Sequence, residues 1–517
     1  MAELFYRPWG LPGRARRSGP LPVGEFQIDR LQRGGLWLYE AEKLKLEIDT
    51  GAEPVESFAL QTDVRRLSYL PVPLRQTRGT VLKGGHGETR IIWSHVPDRP
   101  LKPEPQSPEE LAAHRIMLRA RGVWDRLRDV DSALADPARL WQELGCRWMQ
   151  EHHGDPQMDT IVLQARSLVR TLQELDRSPR RILRRTHQQL PVSRVQELDR
   201  RSMGWLVRQP GETLAERAGD QQRILAVARE ENFDTLENRV LRAYAELARQ
   251  VARDYCERNS LSKASPRYRL VFEYGAGCRR LARSLADRGV RIAEAGVSPN
   301  FVLQQNPRYQ KIWDAWHELQ KDRKKEDELW RWQGRSWEEF CALATMVALV
   351  SVPGAEVIAS APLNFRDEQL HGSWVVQDNP LGVLYLPEQG LVVEVRYRMA
   401  HPGGHRADFA APIWIRTGRI NEALGSQSNI AVWPVWDPHG GLVADEAQEI
   451  QGVLKANPRE RLTAGIVLRP DAGNDDLGLE SMPNVLIATI GTQGDALWMG
   501  VSALSEFLSS VITRQVR

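Results

Sequence analysis

The chain has 517 residues, too many for one hydrophobic core, so two to four domains are expected. Its formal net charge of +3 is nearly balanced, without the strong basic excess of an obligate nucleic-acid-binding domain. No run of about 18 apolar residues occurs, and the opening MAELFYRPWG lacks the apolar core of a signal peptide, so a cytoplasmic location is expected. Four cysteines (Cys146, Cys256, Cys278, Cys341) are far apart and lack CxxC spacing, which reads as ordinary thiols rather than a zinc site or disulfide frame.

In chain order, the first hundred residues read as β-rich. Leu44, Leu46 and Ile48 alternate with Lys43, Lys45, Glu47 and Asp49, the period of a half-buried strand. SFALQTDVRRLSYL and TRIIWSHV read similarly, with turn signals at Gly84-Gly85 and Gly87. A small antiparallel binding domain over 1–100 is expected, its first 25 residues, rich in Pro, Gly and Arg, forming an extended arm. The proline-rich 97–108 marks a linker.

From Ser107-Pro108-Glu109-Glu110, a helix start with acids near its N-terminal dipole, the pattern turns helical. Apolar spacing of 3.6 predicts helices around 108–129, 132–152, 157–176, 194–208 and 218–258, and a helical domain over 108–325. Within it, DRSPRRILRRTHQQLP carries Arg177, Arg180, Arg181, Arg184 and Arg185. On a helix most of these share a side, either as a DNA-phosphate patch or as a solvated face paired with Glu174, Asp176 and Glu197. In DTLENRVL, Thr235 is an N-cap and Glu237 lies in the first turn of a long amphipathic helix.

YRLVFEY reads as a strand and GCRRLARSLADRGV as a short helix. The VFEYGAGCRR stretch lacks a Gly-Lys-Ser/Thr ending, so no phosphate-binding loop is expected. Asn306-Pro307 opens a helix burying Ile312, Trp316 and Leu319, and RKKEDE (323–328) reads as a charged turn.

The last third runs as helix (SWEEFCALATMVAL), strand (LVVEVRYRMA), strand (HRADFAAPIWIR), strand (NIAVWPVW), helix (LVADEAQEIQGVLKA) and strand (RLTAGIVLRP). Trp337, Phe340, Leu343 and Val347 form an apolar stripe with Glu338 or Glu339 beside it. His401, His405 and Asp408 have no better than loop spacing for a transition metal, and Glu151-His152-His153 reads as a helix end.

That order resembles the core of the PD-(D/E)XK nuclease superfamily over 326–517. DTLENR, NPRYQKIW, SWEEF, RADF and IVLRP together resemble McrC-like restriction proteins over roughly 165–470. The resemblance implies an α/β multidomain chain: β-rich domain, helical domain, nuclease-like α/β core. It implies a component of a prokaryotic antiphage defence complex, with DNA, further defence subunits and a AAA+ motor ATPase or GTPase as partners. It also implies Mg²⁺ held by Glu339 and Asp408, and Asn238 and Arg239 as helix-bridging residues.

The family's acid-x-lysine is not matched. Val432, Trp433 and Pro434 stand in its place, and proline inside a strand belongs at a sheet edge. Substitutes are Glu394-x-Arg396, whose plainer reading is the polar face of a strand, and Glu449 with Lys455 from the following helix. With so few oxygen ligands, water activation should be weak. The expectation is therefore a DNA-binding scaffold with a degenerate core and no cofactor. The rivals are an active Mg²⁺-dependent endonuclease and a protein–protein adaptor.

Overall fold

The computed structural model describes residues 2–5, 9, 24–28, 35–40, 45–48, 66–71, 79–84, 87–93, 107–133, 139–150, 156, 158–294, 296–331, 333–360, 363–370, 373–376, 380–397, 411–420, 427–436, 443–456, 461–471 and 479–516. These fall into two compact units, one of 1–154 with 323–517 and one of 155–322. The expected divisions at 1–100, 108–325 and 326–517 differ from this partition, because the first two helices share a core with the C-terminal third.

The larger unit begins with seven strands: β1 (Ala2–Phe5), β2 (Gly24–Ile28), β3 (Gly35–Glu40), β4 (Lys45–Ile48), β5 (Arg66–Pro71), β6 (Gly79–Gly84) and β7 (Gly87–Trp93). They form one sheet in the order β1-β3-β5 and another in the order β2-β7-β6-β4. The glycine turn signal is the β6–β7 hairpin, with Gly84 opposite Gly87. The extended-arm reading of the first 25 residues is corrected at residues 2–5 and 9, where β1 pairs with β3 and Trp9 is buried; residues 10–23 lie outside the described residues.

Helices α1 (Pro108–Ala133) and α2 (Leu140–Gln150) follow. As the sequence suggests, Ser107 Oγ accepts from the Glu110 amide, 3.1 Å, at the start of α1. The chain re-enters this unit in α10 (Gln333–Val350), then β10 (Glu356–Ser360), β11 (Asn364–Leu370), β12 (Ser373–Val376), β13 (Gly382–Leu386), β14 (Leu391–Tyr397), β15 (Ile413–Arg419), β16 (Ser428–Pro434), α11 (Val443–Ala456), β17 (Leu462–Pro470), β18 (Leu479–Met482), β19 (Val485–Ile490) and α12 (Gly494–Val516).

Eight of these strands make one mixed sheet, β10-β13-β14-β15-β16-β17-β19-β18. Its β10-to-β16 half is antiparallel, whereas β16, β17 and β19 run parallel. Residues alternate between its faces. On β16, Ile430 and Val432 enter the core shared with α1, α2, α10 and α12, whereas Ala431 and Trp433 enter the core beneath α11. Helices thus cover both faces around β16, β17 and β19, and the near-continuous burial of β17 follows from that cover. Pro434 does not make β16 an edge. The strand lies between β15 and β17, with proline as its last residue, where the ladder ends.

The predicted stripe on α10 is present, but the helix is buried all round from Ser336 to Leu349, Glu338 and Glu339 included. α12 is long and apolar enough by composition to cross a membrane. Leu497, Val501, Leu504, Leu508 and Ile512 instead pack in the sheet core, which accounts for its composition.

The smaller unit holds α3 (Thr160–Arg177), β8 (Ile182–Pro191), α4 (Arg200–Val207), α5 (Leu214–Arg217), β9 (Arg223–Asn232), α6 (Leu236–Arg258), α7 (Pro266–Asp287), α8 (Phe301–Gln305) and the start of α9 (Pro307–Arg331). Three readings are corrected here. Residues 223–232 are strand β9 rather than part of a 218–258 helix, and they pair with β8. YRLVFEY belongs to α7, capped by Ser265 Oγ on the Arg267 amide with Pro266 in the first turn. The backbone of 323–328 continues α9 rather than turning.

Candidate functional site

The nuclease-like reading rests on carboxylates, so their surroundings decide what they can do. Glu339 is 2% exposed and Glu338 3%, and both have interaction partners. Their neighbour Cys341 has its thiol pushed well above the usual range, by burial first and then by the Glu338 charge. At the start of the same helix, Trp337 Nε1 donates to the Leu468 carbonyl on β17 (3.4 Å), and its ring meets Trp436 edge-on at 5.5 Å. α10 is thereby fixed over the C-terminal ends of β16 and β17.

Glu394 projects from β14 opposite Arg416 of β15. Arg396 donates to it at 2.8 Å and Arg416 lies 3.7 Å away, all three side chains being about one-fifth exposed. Two guanidinium groups thus neutralise the carboxylate, which is the strand-face reading of Glu394 and Arg396. Glu449 accepts from Trp9 Nε1 (3.4 Å), and the Trp9 ring meets Trp433 edge-on at 5.9 Å. Lys455 is exposed in the last turn of α11. Asp408, His401, His405 and Glu151-His152-His153 lie outside the described residues.

A hard divalent ion needs several oxygen ligands on one point. Among the described residues, no group of three or more Asp, Glu, His or Cys side chains is placed to hold one. Sequence reasoning missed a buried charge pair in this unit: Arg469 Nη2 reaches both oxygens of Glu446, at 2.8 and 2.6 Å, with both residues nearly inaccessible. Its only local signals were the acid in the first turn of α11 and the arginine of IVLRP.

The arginine stretch is corrected from helix to strand. α3 stops at Arg177, Pro179 follows, and Arg184 and Arg185 lie on β8 with Arg180 and Arg181 just before it. Arg180 pairs with Glu237, Arg181 with Glu231 at 2.6 Å, and Arg185 with Glu197 at 3.0 Å. Arg177 and Arg184 are exposed, the latter opposite Glu230 in the ladder. Most of this patch is therefore already matched by acids, of which Glu197 is one of the three that the solvated-face reading named.

The DTLENR motif makes a buried junction. Thr235 caps α6, its Oγ1 accepting from the Asn238 amide. Asn238 is fully buried and donates to the carbonyls of Arg180 (2.7 Å) and Phe233 (2.8 Å). Glu237 accepts from Asn300 (2.7 Å) as well as from Arg180. Arg239 makes a two-pronged pair with Asp234 (2.7 Å each), to which Arg291 also donates. Those guanidinium groups, Arg239 first, hold the Asp234 carboxyl far below the usual range. Asn238 is thus buried and bridging, as the resemblance implied, whereas the Arg239 side chain pairs with Asp234 just before its own helix.

Residues 142–291, spanning this junction, match a family described as a domain of unknown function, DUF2357. No curated protein matches the chain. Among solved structures, the chain is similar to one titled as a refined half-complex from a tetradecameric assembly of Thermococcus gammatolerans McrB AAA+ hexamers with bound McrC. The identity is 12%, coverage is 87% of this chain and 85% of that one, and the TM-score is 0.20, at which the likeness carries no argument about fold or activity.

Proposed function

We propose that this chain is a DNA-binding scaffold subunit of a prokaryotic antiphage defence complex, similar to McrC, whose nuclease-like core no longer cuts. The observation that carries the reading is the state of Glu394. The acid best placed by sequence to replace the missing acid-x-lysine is bound between Arg396 and Arg416, so a metal would have to compete with two cations. The order of motifs from DTLENR to IVLRP supports the defence assignment. On this reading the partners are further defence subunits and a AAA+ motor, in the cytoplasm.

The test is direct. Purified protein incubated with supercoiled plasmid and Mg²⁺ or Mn²⁺ leaves the plasmid intact. Metal-dependent nicking abolished by Glu339→Ala or Asp408→Ala overturns the scaffold reading in favour of an active endonuclease. Absence of any salt-sensitive DNA binding overturns it in favour of a protein–protein adaptor.

A further inference from the structure

The arginine stretch at 177–185 is largely matched by acids, but a second basic surface in the same unit is not. Helices α6 and α7 form a hairpin, and between them runs an open groove of about 990 Å³. The hairpin is closely packed at its base. A Cβ added at Gly275 would lie 2.9 Å from the Cβ of Ala252, so only glycine lets the two helices approach this closely there.

Six cationic side chains line the groove: Arg249, Arg253, Lys263, Arg279, Arg280 and Arg283. Only two acids, Glu257 and Asp287, offset them. Arg249 pairs with Glu246 (3.1 Å) and Arg253 with Glu257 (3.4 Å). Lys263, Arg279, Arg280 and Arg283 are exposed, and among the described residues no acid pairs with them.

The α7 wall also carries aromatics. Tyr268, Phe272, Ala276, Arg279 and Arg283 follow one another at helical spacing on one stripe. The Phe272 ring is 60% exposed and lies nearly parallel to Tyr268, 9° between planes with centroids 6.4 Å apart. Tyr268 is in turn part-buried and packed against the core of this unit, which steadies that ring. A lone exposed phenylalanine needs no explanation. One backed by a fixed tyrosine, on the same stripe as unpaired arginines, has the composition of a stacking platform beside a phosphate track.

We infer that the α6–α7 groove binds single-stranded nucleic acid, its phosphates on Arg279, Arg280 and Arg283 and a base on Phe272. From Tyr268 to Arg283 the stripe extends about 22 Å at about 1.5 Å per residue, so it suits a chain of phosphates rather than one small anion. A base can stack on an exposed ring only where it is not already stacked within a duplex, so Phe272 on this track favours a single strand. This inference rests on the nucleic-acid-binding reading above and gives it a site other than residues 177–185.

The experiment is fluorescence anisotropy of the full chain with a labelled 20-nucleotide oligothymidylate and with a duplex of equal length, over a range of salt. The expected result is preference for the single strand, with Phe272→Ala weakening it about 5- to 150-fold. The Arg279→Ala, Arg280→Ala, Arg283→Ala triple variant should lower the salt slope by about 2. The matching triple lysine variant should retain most of the binding, which separates charge from fold. All four positions are exposed, and thermal melts of each variant check that the unit remains folded. Wild-type affinity in both alanine variants overturns the groove and leaves the nucleic-acid reading standing. Failure of the wild-type chain to bind either probe overturns both.

Discussion

Tyr309 Oη donates to Asn238 Oδ1 at 2.8 Å across 71 residues of sequence, joining the start of α9 to the start of α6 inside the smaller unit. The same hydroxyl accepts from the Arg180 amide (3.0 Å), and Asn238 donates to the Arg180 carbonyl. DTLENR and NPRYQKIW, separate motifs in sequence, are thus two halves of one buried junction that also fixes the chain leaving α3. Burial of Tyr309 pushes its phenol up, so the hydroxyl stays protonated and available as a donor.

Asn238→Ala should be among the costliest substitutions in this unit. It leaves two carbonyls, of Arg180 and Phe233, and a buried phenol short of partners, and we expect a loss of about 2–4 kcal/mol by urea unfolding. Tyr309→Phe should cost less. A double-mutant cycle between the two should show clear coupling, and additive losses would mean the bond contributes nothing.

Asp234 gives the unit an acid-sensitive element. Its carboxyl is held below its unfolded value of about 3.9 by Arg239 and Arg291, so its stabilisation is fully present above that pH. As pH falls further, toward its folded value, the contribution is lost. Asp234→Asn should therefore destabilise at pH 7 by about 1–3 kcal/mol, and its difference from wild type should shrink as pH falls below about 4. A difference that stays constant down to low pH would contradict the assignment.

The Glu446–Arg469 pair is buried, and breaking one side strands a charge. Glu446→Gln should cost about 3–5 kcal/mol in urea unfolding. The Glu446→Leu, Arg469→Met double variant should recover most of that loss, since neither charge then remains without its partner. Equal losses in both variants would show that the residues act separately.

Trp9 ties the N-terminal segment to α11 through Glu449 and to β16 through Trp433. Trp9→Ala should lower stability by about 3–5 kcal/mol in urea unfolding, with Trp9→Phe losing less. A negligible effect would restore the reading of the first 25 residues as an unpacked arm.

Several elements were legible because their signals are local. Ser107-Pro108, the Thr235 cap and Asn306-Pro307 each start a helix where the sequence places it, and Ile312, Trp316 and Leu319 are buried as their spacing requires. The order α10, β14, β15, β16, α11, β17 is present along the chain, with additional strands between α10 and β14. Periodicity and capping depend on a few neighbouring residues, so one chain suffices to read them.

What tertiary structure alone decided is which distant groups meet. Residues 223–232 and 182–191 form a ribbon because each supplies the other's backbone partners, which no local pattern records. The same holds for the candidate sites. Arg396 and Arg416 neutralise Glu394, acids from β9, α6 and the chain before α4 take up most of the 177–185 arginines, and among the described residues no acid pairs with Arg279, Arg280 or Arg283 on α7. The sequence by itself determined where the charges lie along the chain. Only folding decided which are spent on each other, because Coulomb attraction depends on separation in space.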